Sequence, residues 1–431
     1  MVDEQFIAYI WQFGLFDQRE LRCTNGKSLH IIATGERNSL SGPDFFNARV
    51  MIDDTTWAGN VELHVKASDW LRHGHQHDKS YDSVVLHVVW EADIDSQSTT
   101  GQAIPCLVLD GRVQASVYQN YQYLRYSTHK IPCAQLLPYA NEFTVTMCLD
   151  RMLVERLEQK AVPIMAALAQ NQYHWEETFY RLLSRALGAK ANSDAMEQVA
   201  QSLPLSVLAK HKDQLIQLEA LLLGQAGCLD NDHLNSDDPY VSLLQREYRH
   251  LRHKYQLRPL AAHIWKFGGL RPPNFPTIRL VQLAALVYKS SHLFSKICQT
   301  EDPAVLLNLF TAQASEYWDT HYTLDKTTAR RSPKNIGDTT LQLIIINTVV
   351  PLIFLYGKER ALPDLQERAL RLLAQLPPEQ NALIAEWHAV GIKTQHAFDT
   401  QALLQLYSAY CQPKRCLSCT IGNELLRRKN P

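Results

Sequence analysis

The sequence predicts an α/β N-terminal domain with a mixed sheet of about five strands, followed by a large all-α domain. Three observations carry this. Short runs of β-branched and aromatic residues crowd the stretch before Asp110, and almost no strand pattern follows it. From about residue 145 onward, apolar residues recur at spacings of three and four. At 431 residues the chain is too long for one typical core. The break falls at Ile131-Pro132-Cys133, which gives domains of 1–130 and 131–431.

Residues 3–16 place Phe6, Ile7, Ile10, Trp11, Phe13 and Leu15 largely on one side of a short amphipathic helix. Residues 29–33 (LHIIA) read as a strand, and the turn-rich segment GERNSLSGPD follows. Residues 47–52 and 57–66 read as a hairpin around Asp53-Asp54. Residues 69–82 are polar and irregular, a short helix with a loop. The run VVLHVVW at 84–90 has the character of a central buried strand, and 104–109 adds one more.

The residues with the most chemistry lie between positions 42 and 87. Asp44 follows a Gly-Pro turn, and Glu62, His64 and Lys66 alternate along one strand, so they share a face. Asp44 and Glu62 offer hard oxygen ligands that suit Mg2+ or Mn2+. His64 shifts the preference toward Mn2+, Fe2+ or Zn2+, because imidazole is a softer donor. Lys66 is expected to orient water or hold a phosphate. The plain alternative is a capped turn at Asp44 and a Glu62–Lys66 pair on a solvated strand face, which leaves His64 unexplained. His73, His75, His77 and Asp78 form a second, rim-like group with metal-ligand spacing; a polar surface loop is the competing reading. His87, inside an apolar strand, reads as a hydrogen-bonded core histidine. Trp57 and Trp70 read as packing anchors.

Through GPDFFNARVMID, TWAGNVELHVKASDW and CLSCTIGNELL, the chain resembles an uncharacterised bacterial family, domain-of-unknown-function family 2851. That family implies no activity. The N-terminal order also resembles the core of the PD-(D/E)xK nuclease superfamily: a helix, a hairpin with Asp at the start of one strand, and Glu-x-Lys on the next. This likeness implies a restriction-endonuclease-like fold, with Asp44 and Glu62 as metal ligands. His64 stands where the resemblance implies lysine, and Lys66 lies one alternation further along.

The helical part is expected at 149–170, 174–187, 204–224, 240–256, 276–290, 303–316, 339–357, 363–375, 379–390 and 399–410. Two of its stretches are basic. Residues 246–258 carry Arg246, Arg249, Arg252, Lys254 and Arg258 with tyrosines and histidines interleaved, a pattern able to grip phosphates without reading bases. Arg271, in a Gly/Pro loop, and Arg279 flank a helix start that could take an anion. A solvated helix face and a simple connecting loop are the alternatives. Near the C-terminus, Cys411, Cys416 and Cys419 have metal-ligand spacing. With Cys133 as fourth ligand they are candidates for a structural Zn2+ or an iron–sulfur cluster; unligated buried thiols are the alternative.

Net charge is −1, so any affinity for nucleic acid must come from a local basic patch. The acidic start lacks a signal-peptide pattern, and nine cysteines fit reduced thiols, so a cytoplasmic location without a membrane partner is expected. The apolar stretch 341–356 is short for a bilayer span and contains Pro351, which favours a buried core helix. The leading expectation is a metal-dependent, nuclease-like protein acting on nucleic-acid phosphodiesters. The others are a non-catalytic, metal-stabilised binding or scaffold protein and a metal-dependent hydrolase of a small substrate. The oligomeric state is not encoded in any pattern found here.

Overall fold

The structure, a computed structural model, describes residues 2–38, 40–230 and 238–428. Helix α1 (Glu4–Phe13) starts at Asp3, whose carboxylate accepts the Phe6 N–H at 2.9 Å, and ends at Gly14 in the left-handed region. Its apolar side buries Phe6, Ile7, Ile10 and Trp11. That face packs on a mixed sheet built from β1 (Leu29–Ala33), β3 (Phe45–Ile52), β4 (Thr55–Lys66), β5 (Val84–Glu91) and β6 (Cys106–Val108), in that order across the sheet. A two-residue strand, β2 (Glu36–Arg37), pairs with β3 and had no sequence signal. β1–β3 and β3–β4 are antiparallel; β4–β5 and β5–β6 are parallel.

The parallel β4–β5 pairing needs a crossover, and residues 67–83 supply it. Helix α2 (Asp69–Arg72) and two single 3-10 turns, His75–His77 and Lys79–Tyr81, make up most of it. Trp70 is fully buried beneath them, whereas Trp57 is 44% exposed, so only the first is a packing anchor. Helix α3 (Ala115–Tyr126) was not expected. Its Val117, Tyr121 and Leu124 join the sheet's core, and its buried Asn120 donates to the carbonyls of Leu425 and Arg428.

Two compact units result. The first comprises 1–151, 381–393 and 403–431; the second comprises 152–380 and 394–402. The expected boundary at 130/131 is therefore corrected twice. The division falls inside one long helix, α4 (Glu142–Gln170), and the C-terminal segment returns to the first unit, where Leu426 is part of the sheet's core.

The second unit is largely helical. The expected helix at 204–224 is two, Leu205–Ala209 and Leu215–Gln225. Helices at Ala189–Ser202 and Leu293–Gln299 were missed, as was the small hairpin His321–Thr323 with Lys326–Thr327. The apolar stretch lies within Asp338–Glu359, long and apolar enough to cross a membrane, but 72% of its most apolar window is buried inside the protein. A π turn at Ile345–Val349 lies just before Pro351 and loosens the ladder where proline lacks a donor.

Candidate metal centre

The site forms where β3 begins, β4 ends and the 67–83 crossover folds back. Asn38 clamps the turn before β3, its side-chain amide donating to the carbonyls of Leu40, Ser41 and Pro43 at 3.1–3.2 Å. Asp44 and Glu62 then lock reciprocally. The Asp44 N–H donates to Glu62 Oε2 at 3.1 Å, and Asp44 Oδ2 accepts the Leu63 N–H at 3.1 Å. Burial, then the charge of Glu62, pushes the Asp44 carboxyl up to about 6.

His64, on the same face as Glu62, is buried to 1% exposure. Its Nε2 lies 3.0 Å from His73 Nδ1 and 3.7 Å from Glu62 Oε1, and Glu62 Oε1 is 3.3 Å from His75 Nε2. Among the described residues, ligand atoms of His64, His73 and His75 all lie within 4.8 Å of one another. Donors around one ion at about 2.0–2.2 Å stand roughly 3–3.5 Å apart; the 3.0 and 3.3 Å edges match that spacing and the 3.7 Å edge is slightly wider. His75 Nε2 is buried without a hydrogen-bond partner, and its ring stacks on Tyr81 at 3.7 Å between centroids. His73 is exposed, which leaves the group open on one side.

Behind His64 runs a relay. His64 Nδ1 sits 2.8 Å from His87 Nε2, and His87 Nδ1 sits 2.8 Å from Ser96 Oγ. If His64 Nε2 offers its lone pair to an ion, its Nδ1 must carry the proton and donate to His87 Nε2. His87 Nδ1–H then donates to Ser96. One tautomer satisfies every bond, the arrangement that orients a metal-ligating imidazole. Burial, then neighbouring imidazoles, holds His64 neutral, its pKa lowered to about 2; burial first lowers His87 to about 3. His87 is thus the hydrogen-bonded core histidine expected, with its bonds directed into the site.

Three expected residues stand apart. Lys66 lies at the strand end, half exposed, with its ammonium 3.3 Å from Glu91, its register partner on β5. Its face is right, but the strand has left the site by that point. His77 is exposed on its 3-10 turn, and Asp78 caps the next turn by accepting the Ser80 N–H at 2.9 Å. Glu4, in the first turn of α1, was missed. It lies within electrostatic reach of His73, Asp44, Asp69 and Arg72, and burial raises its carboxyl. An acidic residue opening a helix gives no signal of its own beyond helix capping.

In the second unit, Arg249, Arg252 and Lys254 are exposed on the helix Pro239–Tyr255. Arg252 lies 3.6 Å from Asp230, and the Lys254 ammonium stands 5.2 Å from the Tyr255 ring centre. Arg271 is exposed, whereas Arg279 is buried, its terminal nitrogens donating to Gln282, Asn274 and Thr340 and its Nε left without a hydrogen bond. A cavity of about 790 Å³ in this unit is lined by Glu176 and Glu177, among others. Both carboxylates already accept backbone N–H groups, those of Phe294, Ser295 and Leu205.

In the first unit, Cys133 does join Cys411, Cys416 and Cys419, each thiol within electrostatic reach of the others. Cys148, on α4, was missed; its thiol is hydrogen-bonded to Cys419. Helical periodicity hid it as an ordinary core position.

Comparison with curated proteins and with solved structures returns no match. The model of a family described as protein of unknown function (DUF2851) matches residues 4–382, a span that takes in the whole histidine site and stops short of Cys411. The chain belongs to the DUF2851 family.

Proposed function

We propose that this protein is a metal-dependent, nuclease-like hydrolase of phosphodiesters, with Glu62, His64, His73 and His75 as the ligands of one divalent ion and Asp44 beside them. One observation carries the reading: ligand atoms of three imidazoles gather within 4.8 Å of one another, two of them beside Glu62, and the buried His75 Nε2 makes no hydrogen bond. A buried acceptor or donor left unpaired costs about 1–3 kcal/mol, which a ligand would remove. The mixed nitrogen and oxygen set suits Mn2+, Fe2+ or Zn2+ better than Mg2+. Such an ion would supply Lewis acidity toward a phosphoryl oxygen and acidify a water. The protein's residues do the rest. The His87–Ser96 relay fixes the His64 tautomer, and the open side at His73 leaves room for substrate, unlike a closed structural site.

The phosphodiester assignment draws on the strand order. A helix, an antiparallel pair with Asp44 just before its first strand and Glu62 on its second, and a following parallel strand are the features from which the PD-(D/E)xK likeness is proposed. The absent lysine is the departure. With Lys66 engaged by Glu91, charge neutralisation falls to the ion alone.

The test is cleavage of single- and double-stranded DNA and RNA with Mn2+, Zn2+ or Mg2+, run beside Glu62→Gln and His75→Ala. Cleavage by the wild type with Mn2+ or Zn2+, lost in both variants along with bound metal, is the expected result. Failure to cleave with any ion while metal still binds would leave a metal-stabilised binding protein instead.

A further inference from the structure

The first unit holds seven of the nine cysteines; five of them neighbour one another near the C-terminus, and four of these form a closed set. Cys133 follows α3. Cys411 ends a π turn, Cys416 opens a 3-10 turn, and Cys419 precedes the C-terminal helix Thr420–Arg427. Every pairing among these four lies within electrostatic reach, and Cys148 is hydrogen-bonded to Cys419 at the edge of the set.

The backbone is shaped to hold them there. Lys414 takes a left-handed conformation between Cys411 and Cys416, and its N–H donates to the Cys411 carbonyl at 3.1 Å. The Cys419 N–H closes the next turn onto the Cys416 carbonyl at 3.2 Å. Gly422 packs so tightly on that turn that a Cβ would fall 2.2 Å from the Cys416 carbonyl oxygen. Cys419 Sγ also faces the backbone N–H groups of Ile421 and Gly422, donors that favour a thiolate. All nine cysteines are free, so no disulfide explains the gathering.

The spacing bears on what fits. A single zinc, about 2.3 Å from each sulfur, would draw the sulfurs to roughly 3.8 Å from one another. Among the described residues, only the histidine trio has its ligand atoms within 4.8 Å, so no three of these sulfurs are that close. We propose that Cys133, Cys411, Cys416 and Cys419 hold an iron–sulfur cluster, a polynuclear core that soft thiolates select and a wider cage accommodates. The cluster would fasten the segment after α3 to the C-terminal helix, whose Leu426 completes the sheet's core. This inference stands apart from the histidine site.

The experiment is metal and labile-sulfide analysis of full-length protein purified anaerobically, with visible spectra before and after dithionite. Iron and sulfide in equal amounts, roughly two or four per chain, with absorption that dithionite bleaches, are expected. Labile sulfide separates a cluster from iron held by histidines. Cys133→Ser and Cys416→Ser should lose both, while Cys148→Ser and Cys298→Ser keep them. Stoichiometric zinc without sulfide overturns the cluster, and protein free of both metals overturns the site. Undiminished iron and sulfide in Cys133→Ser and Cys416→Ser overturns the ligand assignment. The wild-type measurement decides the first two points even where a variant fails to fold.

Discussion

Replacing Asp44 with Asn isolates the charge that the site strains to hold. In the metal-free protein, burial and then the Glu62 carboxylate raise the Asp44 carboxyl from its ordinary 3.8 to about 6. Below pH 3.8 the folded and unfolded chains both carry this proton. Between 3.8 and 6 the unfolded chain releases it first, so the folded state binds more protons and stability falls as pH rises. At roughly 1.4 kcal/mol per pH unit, the loss reaches about 3 kcal/mol by neutral pH. Asp44→Asn has no proton to lose, and its side-chain oxygen can still accept the Leu63 N–H. Groups remote from Asp44 titrate alike in both proteins, so the difference between their stability curves reports Asp44 together with the neighbours coupled to it. Urea denaturation in EDTA at pH steps from 4 to 7.5 should show the variant gaining about 3 kcal/mol relative to wild type across that window. Added Mn2+ or Zn2+ should reverse the order above pH 6, where wild type offers a carboxylate beside the ion. Parallel curves in EDTA would refute the claim that Glu62 and burial act on Asp44. Equal metal stabilisation of both proteins would remove Asp44 from the centre.

Two further perturbations test the surroundings. Ser96→Ala orphans His87 Nδ1 in the core, so it should cost about 1–3 kcal/mol by denaturation and, by freeing the His64 ring, weaken metal binding about 10–100-fold in chelator competition. Unchanged affinity would show that the relay does not orient the ligand. Lys66→Ala should cost about 0–1 kcal/mol and leave cleavage rates within error, because its ammonium is half exposed against Glu91. A tenfold fall in rate would return this lysine to the chemistry.

Local pattern was enough for much of the sheet. The apolar run at 84–90 and the β-branched stretch at 29–33 each sit between turn residues, and their bounds agree with β5 and β1 to within a residue. Helix α3 escaped because its twelve residues are rich in Tyr and Gln, and its buried Asn120 is satisfied by carbonyls some three hundred positions away. The return of the C-terminus to the first unit escaped for the same reason: no local signal announces that Leu426 completes a core begun at Phe6.

The site divides along the same line. Strand phasing put Glu62 and His64 on one face, which is a local property of β4. It put Lys66 there too, but phasing says nothing about where a strand outruns its cover, and Lys66 is exposed. Positions 73, 75 and 77 alternate as if on a strand. Gly74 instead turns the chain through a left-handed conformation into a 3-10 turn, where residues two apart diverge, so His75 points inward and His77 outward. The relay through His87 depends on the parallel register that sets Glu62 opposite His87, a tertiary choice. Burying three imidazoles against two carboxylates opposes folding unless each lone pair and proton finds a partner. Here every nitrogen of His64 and His87 does, and His75 Nε2 does not. A fold selected for stability alone would fill that position with an apolar side chain beside Trp70. Keeping an imidazole there with no hydrogen bond, only the Glu62 carboxylate 3.3 Å away, is the mark of a site that is completed by something it binds.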